Sequence, residues 1–241
     1  MSSHDIYPSL SGALASWRHL EVVSNNLANA TSTGFKEQRV AFELKDFGDR
    51  PLESSYVQLD TEGADMSDGP ITQTGVRTNL ALRGRGFFMA QAGDGSQVLV
   101  RSGNMQLDAN NNLTTAAGEP LLGDAGPIQI PLGFTFEIAK DGGVYVSRDD
   151  GRETQPNLLD TLRIVDADQL EPLGGSRWRA VGGVREAEGA QVIQGALEMS
   201  NVDPIRNMVD LIQAGRHFDI YQRAMKTSDE TDARLLQTVK R

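Results

Sequence analysis

The chain predicts an α+β fold, an antiparallel, mainly-β central body bracketed by N- and C-terminal amphipathic helices that pack as a coiled coil. Three observations predict it. Near each end apolar residues recur in alternating steps of three and four, the spacing of a helical seam. Between residues 71 and 184 the pattern changes to short alternating or β-branched runs, as in half-buried strands. Glycine- and aspartate-rich breaks separate those runs at hairpin intervals, where turns need positive φ or a side chain that caps its own backbone.

The first helix is expected over Asp5 to Ala30. Ile6, Leu10, Ala13, Trp17, Leu20, Ser24 and Leu27 form its seam, widened by Leu14 and Val23. Pro8 falls in the first turn, where its missing N–H does no harm. Asn25, Asn26 and Asn29 crowd the helix end; asparagine competes for backbone hydrogen bonds, so such a cluster needs capping work or bonds to a neighbouring subunit. Gly34 suits a positive-φ turn, and Phe35 is an apolar anchor for the departing chain. On this reading Gly34→Val is disruptive, whereas Gly12→Val only lowers helix propensity. Leu20→Asp would put an unpaired charge in the seam and block assembly while sparing the β body.

Residues 42–75 and 185–200 read as extended or β connector, and residues 76–184 as the antiparallel β domain. Strand signals there are Leu80/Leu82, Phe87-Phe88-Met89, Val98-Leu99-Val100, Leu107, Leu113, Ile128/Ile130, Phe134/Phe136/Ile138, Val144/Val146 and Leu162/Ile164. Breaks fall at Gly93-Asp94-Gly95, Asp108 to Asn112, Gly123 to Pro127, Asp141-Gly142-Gly143 and Asp149-Asp150-Gly151. Val192 to Met199 adds one last strand. Asp203 then caps a second helix with Pro204 at its first position. Leu211, Ala214, Phe218, Tyr221, Met225 and Ser228 make its seam, with Ile205, Met208 and Ile212 reinforcing the first turns. Residues 1–41 and 201–241 together read as one discontinuous helical domain for polymerisation.

Composition narrows the function classes. The 241 residues include no cysteine and three histidines, so neither disulfide chemistry nor a histidine-rich metal site is expected. No apolar run reaches the roughly 20 residues of a membrane span, and no cleaved signal peptide is visible at the N-terminus. A net charge of -10 argues against nucleic acid, which needs clustered Lys and Arg. Residues 1–41 and 201–241 are nearly charge-balanced while the middle carries -11, an acidic, solvated body between ends able to pack against copies of themselves.

Motifs for chemistry are weak. Asp108, Asn110, Asn112 and Glu119 have calcium-loop spacing, but Leu113 stands where that loop requires glycine, and a plain hairpin turn is the expectation. Gly84-Arg85-Gly86 lacks the third glycine and the helix of a phosphate loop, and reads as a bend between strands. No Gly-x-Ser-x-Gly elbow or His-Glu-x-x-His pair is present.

Three blocks carry a family resemblance. Asn25-Asn26-Leu27-Ala28-Asn29 with Thr31 and Thr33-Gly34-Phe35-Lys36 is similar to the N-terminal motif of bacterial flagellar rod and hook axial proteins. Gly195-Ala196-Leu197-Glu198-x-Ser200-Asn201-Val202 with Met208-Val209-Asp210-Leu211-Ile212 resembles their C-terminal motif. Between them, Asn79-Leu80-Ala81-Leu82 with Gly84, Gly86-Phe87-Phe88, then Arg101-Ser102-Gly103-Asn104-Met105-Gln106-Leu107-Asp108 and Leu121-Leu122-Gly123-Asp124 also match. Compact length and the run from Gly195 to Pro204 resemble the proximal rod branch, with the distal rod branch as alternative; Gly215 and His217 depart from both.

The resemblance implies a structural subunit of the flagellar basal-body rod, without enzyme activity or cofactor. It would be exported by the flagellum's own export apparatus without a cleaved signal peptide, and would polymerise in the periplasm with like and unlike rod subunits. Residues expected at subunit contacts are Leu10, Leu14, Trp17, Leu20, Asn25, Asn26, Leu27, Asn29, Gly34 and Phe35 near the N-terminus. Their C-terminal counterparts are Asn201, Val202, Met208, Leu211, Ile212, Phe218, Tyr221 and Met225. The alternative from another class is a carbohydrate-binding or catalytic β module with helical oligomerisation ends.

Overall fold

The computed structural model describes residues 6–46, 55–148 and 156–239. Two compact units emerge: a helical unit within residues 1–29, 38–65 and 202–241, and a β unit of residues 30–37 and 66–201.

The helical unit holds α1 (Ile6–Ala28), β1 (Gln38–Asp46), β2 (Ser55–Ala64) and α2 (Pro204–Val239). Asp203 Oδ1 accepts the N–H groups of Ile205 and Arg206 at 2.9 and 3.2 Å, the N-cap that the sequence predicts for α2. The two helices pack on each other, and α1 also packs on the hairpin. From residue 42 onward that hairpin lies in what the sequence presents as extended or β connector, while residues 38–41 of β1 fall in the segment read as the helical domain. Gln38 pairs with Ala64 and Asp46 with Ser55 in antiparallel register, broken once by a bulge at Ala41/Phe42. Val40 and Phe42 are half-buried while Arg39, Ala41 and Glu43 are exposed, the period-2 pattern of a strand with one covered face.

The β unit holds β3 (Ile71–Gln73), β4 (Leu80–Arg83), β5 (Phe87–Gln91), β6 (Gln97–Val100), β7 (Met105–Leu107), β8 (Leu113–Thr115), β9 (Phe134–Ile138) and β10 (Gly143–Arg148). It continues with β11 (Asn157–Thr161), β12 (Ile164–Asp166), β13 (Leu170–Gly174), β14 (Arg177–Ala180), β15 (Arg185–Glu186), β16 (Gln191–Gln194) and β17 (Ala196–Glu198). A six-stranded sheet runs in the order β13, β14, β6, β5, β12, β15, and a three-stranded sheet in the order β11, β10, β9; β16 pairs with β4, β17 with β3 and β7 with β8. Leu80, Leu82, Phe88, Val98, Val100, Leu113, Leu121, Ile128, Phe136 and Val144 lie in its single apolar core, as their alternation predicts.

The expected last strand, Val192 to Met199, is two strands. Gly195 sits between them at φ 75°, and its carbonyl accepts N–H groups from Thr74 and Gly75, so the chain bends and changes pairing partner. Asp149-Asp150-Gly151 lies outside the described residues. At Asp108 the carboxylate accepts N–H groups from Asn110 and Asn112 and the Asn112 side-chain amide, each at 2.8 Å, while Asn111 takes a positive φ of 60°. This is an Asx-type hairpin turn; the bond from Asn112 pulls the Asp108 carboxyl below its usual range, and Glu119 is paired elsewhere, with Arg177 at 2.8 Å. No described helix is long and apolar enough to cross a membrane.

Candidate assembly interface

Within the helical unit the helix contact is built from residues of the two seams the sequence suggests, with Gly12 added to it. Trp17 meets Phe218 with ring centroids 5.7 Å apart, and Leu20 Cδ1 lies 3.9 Å from where a Cβ on Gly215 would stand. Gly12 faces the Tyr221 ring so closely that any added Cβ would collide with it. Ala13, Val23 and Ala214 are buried. Gly12 is therefore a close-packing glycine, and the expectation that its replacement costs only propensity is corrected. With the helices drawn together at Gly12, Leu10, Leu14 and Trp17 turn outward; Leu14 is 61% and Trp17 55% exposed. On α2 the seam residues Leu211, Phe218, Tyr221 and Met225 are half-buried. A second apolar row, Ile205, Met208, Val209, Ile212 and Ile220, faces solvent, with Ile205 at 78%.

The asparagines have partners inside the chain. Asn26 is buried, and its amide donates to the Gln38 carbonyl at 2.8 Å and accepts the Gln38 N–H at 2.9 Å, so it imitates a strand neighbour. Asn25 donates to Gln38 Oε1, and Asn29 Nδ2 donates to the Asn25 carbonyl and side chain. Leu27 is half-buried.

In the β unit, residues 30–37 cross structure drawn from three distant stretches. Gly34 adopts φ 65°, as the sequence predicts, and donates its N–H to the Glu198 carbonyl at 2.8 Å. A Cβ there would stand 2.5 Å from the Arg101 carbonyl carbon. Phe35 is buried and accepts the Asn201 N–H, while the Glu37 N–H donates to Asn201 Oδ1 at 2.7 Å. Thr33 bonds to Ser102 and accepts from Ser176, itself at φ 59°. In the helical unit, Val202 is buried.

Beneath this crossing lies an ion cluster that motif reading missed. Glu198 Oε1 accepts Lys36 Nζ at 2.8 Å and the Gly69 N–H at 2.9 Å, and Oε2 accepts Arg101 Nε at 2.6 Å. Lys36 also donates to the Ser67 carbonyl, and Arg101 to the carbonyls of Leu82, Gly84 and Gly86. Burial, and then Arg101, pull the Lys36 ammonium below the ordinary lysine value, opposed by Glu198 and Asp68. Each ion stands in one of the three resemblance blocks; that shared placement was the available signal.

The β unit thus has a core of its own, while the helical unit carries an outward apolar row on α2. The model for the flagellar basal body rod FlgEFG protein C-terminal matches residues 193–238, and that for the flagellar hook protein FlgE/F/G D1 domain matches residues 81–146. The flagellar basal-body rod protein FlgF of Salmonella typhimurium is 29% identical over 97% of each chain. FlgG of Buchnera aphidicola is 32% identical over 96% of this chain and 98% of its own, and FlgF of Caulobacter vibrioides is 31% identical over 93% of both. The chain belongs to the flagellar basal-body rod protein family.

Proposed function

We propose that the protein is a structural subunit of the proximal rod, FlgF-like, that polymerises with like and unlike rod subunits through its terminal helices. The observation that carries this reading is the solvent-facing apolar stripe of Leu10, Leu14 and Trp17 with Ile205, Met208, Val209, Ile212 and Ile220. Each such side chain gains about 1.5–3 kcal/mol on full burial, and neighbouring helices packing knobs into holes, as in a coiled coil, would supply that burial. Residues 1–41 and 201–241 then serve as the polymerisation domain and residues 76–184 as the outward body. Delivery is through the flagellar export apparatus without a cleaved signal peptide, and the site of assembly is the periplasm. Self-assembly is the function, with no catalytic step or cofactor. The 32% identity to a FlgG favours the distal rod as second reading.

The test is Leu14→Asp in cells that depend on this gene for swimming. The expected result is loss of motility and of rods in extracted basal bodies, with unfolding of the purified monomer shifted by less than about 0.5 kcal/mol. Normal rods would remove the stripe from the interface. Rescue of a strain lacking its proximal rather than its distal rod protein separates the two readings.

A further inference from the structure

Lys36 and Glu198 are 162 positions apart, and Arg101 and Glu198 are 97 apart, yet all three side chains are almost fully shielded from water. Inside the cluster two cations face one carboxylate. Asp68, the other acidic neighbour, is 40% exposed; it pairs with Arg101 at 3.2 Å and accepts the Gly84 N–H at 3.0 Å, and no direct bond joins it to Lys36. The remaining acceptors are neutral carbonyls, which satisfy N–H groups but cancel no charge. Without Glu198 the cluster would hold Lys36 with no paired carboxylate and Arg101 with only the half-exposed Asp68, and burying two like charges so poorly compensated is strongly unfavourable. Glu198 therefore decides whether the interior is tolerable. It stands on β17, whose main chain also receives the Gly34 N–H, so the carboxylate arrives with the segment that fixes residues 30–37.

We propose that Glu198 is the closing counter-ion of the β unit: Lys36 and Arg101 disfavour closure until β17 docks, so a chain presenting both cations without that carboxylate folds far less stably. The apolar core alone could collapse earlier, because its residues from Leu80 to Val192 precede Glu198. Synthesis delivers Lys36 first, Arg101 next and Glu198 last. Premature closure would bury Lys36 without a paired carboxylate and leave Arg101 with only the half-exposed Asp68, so the cluster exchanges stability for control over when closure occurs, a specificity role open to buried ions. This inference rests on the cluster and is independent of the assembly reading.

The test uses the full chain carrying Trp17→Phe, so that the buried Trp178 reports the β unit in urea unfolding. Glu198→Gln keeps the shape and apolar contacts of β17 and should lower the folding equilibrium constant by about 100-fold or more. Lys36→Met should destabilise the chain that has Glu198, and should stabilise the chain that carries Glu198→Gln, where it removes a buried cation left without a paired carboxylate. If Glu198→Gln alone is unfolded, the double variant should regain a cooperative transition. Wild-type stability of Glu198→Gln, an equal cost of Lys36→Met in both backgrounds, or a double variant no better folded than Glu198→Gln would each overturn the proposal.

Discussion

The β unit gathers most of its large apolar side chains into one core and leaves scattered ones such as Leu132 and Leu158 exposed, whereas the helical unit places a row of them along one helix, Ile205, Met208 and Ile212 among them, in water. Both follow the periodicity of their own secondary structure, so pattern quality does not separate them. What differs is how many sides each element must cover. Strands β4, β5 and β6 lie in a unit with fifteen strands among the described residues, which together enclose their apolar faces. Two helices and a hairpin cannot enclose an apolar stripe wider than one seam. A unit that finishes its own core is suited to remain as it is in any surroundings; one that leaves a stripe open is suited to being covered by neighbours.

That comparison is broken most forcefully by replacing a glycine in each unit. Gly34→Val puts a β-branched residue at φ 65° and its Cβ against the Arg101 backbone, which cannot yield. A loss of about 4 kcal/mol or more is expected, seen as collapse of the Trp178 transition. Gly12→Val meets a side chain, Tyr221, which can rotate away at the cost of splaying α1 from α2. Its effect should be confined to the helical unit, at about 1–3 kcal/mol. Loss of the Trp178 transition in Gly12→Val would show that the two units do not respond separately.

How far each unit was legible in the sequence follows from the range of the interactions involved. The β turns were readable because their chemistry is local: Asp108 caps residues two and four positions on, and Gly142 supplies its own positive φ. The N-cap at Asp203 was readable for the same reason. The β1–β2 hairpin was missed because its strands cover only one modest face, and Lys, Arg and Glu on the other mask the alternation. The place of Gly12 in the helix contact was missed because a glycine's value as a contact depends on what faces it, here Tyr221, over two hundred positions away. The ion cluster was invisible for a stronger reason: Lys36, Arg101 and Glu198 each look like ordinary surface charges until the fold removes their water.

A smaller effect sharpens the electrostatic side of the comparison. Because burial and Arg101 hold Lys36 below its ordinary 10.5 in the folded chain, the folded state binds fewer protons than the unfolded state between that depressed value and 10.5. The stability linked to this group is therefore least below the window and rises with pH through it. Measured against Lys36→Met, the wild-type chain should gain relative stability as pH is raised toward 10.5. A difference that shrinks over that range would mean that attraction to Glu198 outweighs burial.

The smallest expected effect lies at Gly215, in the middle of α2. Unlike Gly34 it has no positive φ among the described glycines, and a Cβ added there would sit 3.9 Å from Leu20 Cδ1, an ordinary van der Waals contact. Glycine in a helix interior costs about 1 kcal/mol relative to alanine, through backbone entropy in the unfolded chain. Gly215→Ala should therefore stabilise the helical unit by roughly that amount, read as a higher midpoint for loss of the helical circular dichroism signal. The Trp178 transition of the β unit should not move. A destabilised Gly215→Ala would indicate that α1 and α2 approach more closely at Leu20 than their van der Waals spacing requires. Gly215 would then join Gly12 as a second point where the helix pair depends on a missing side chain.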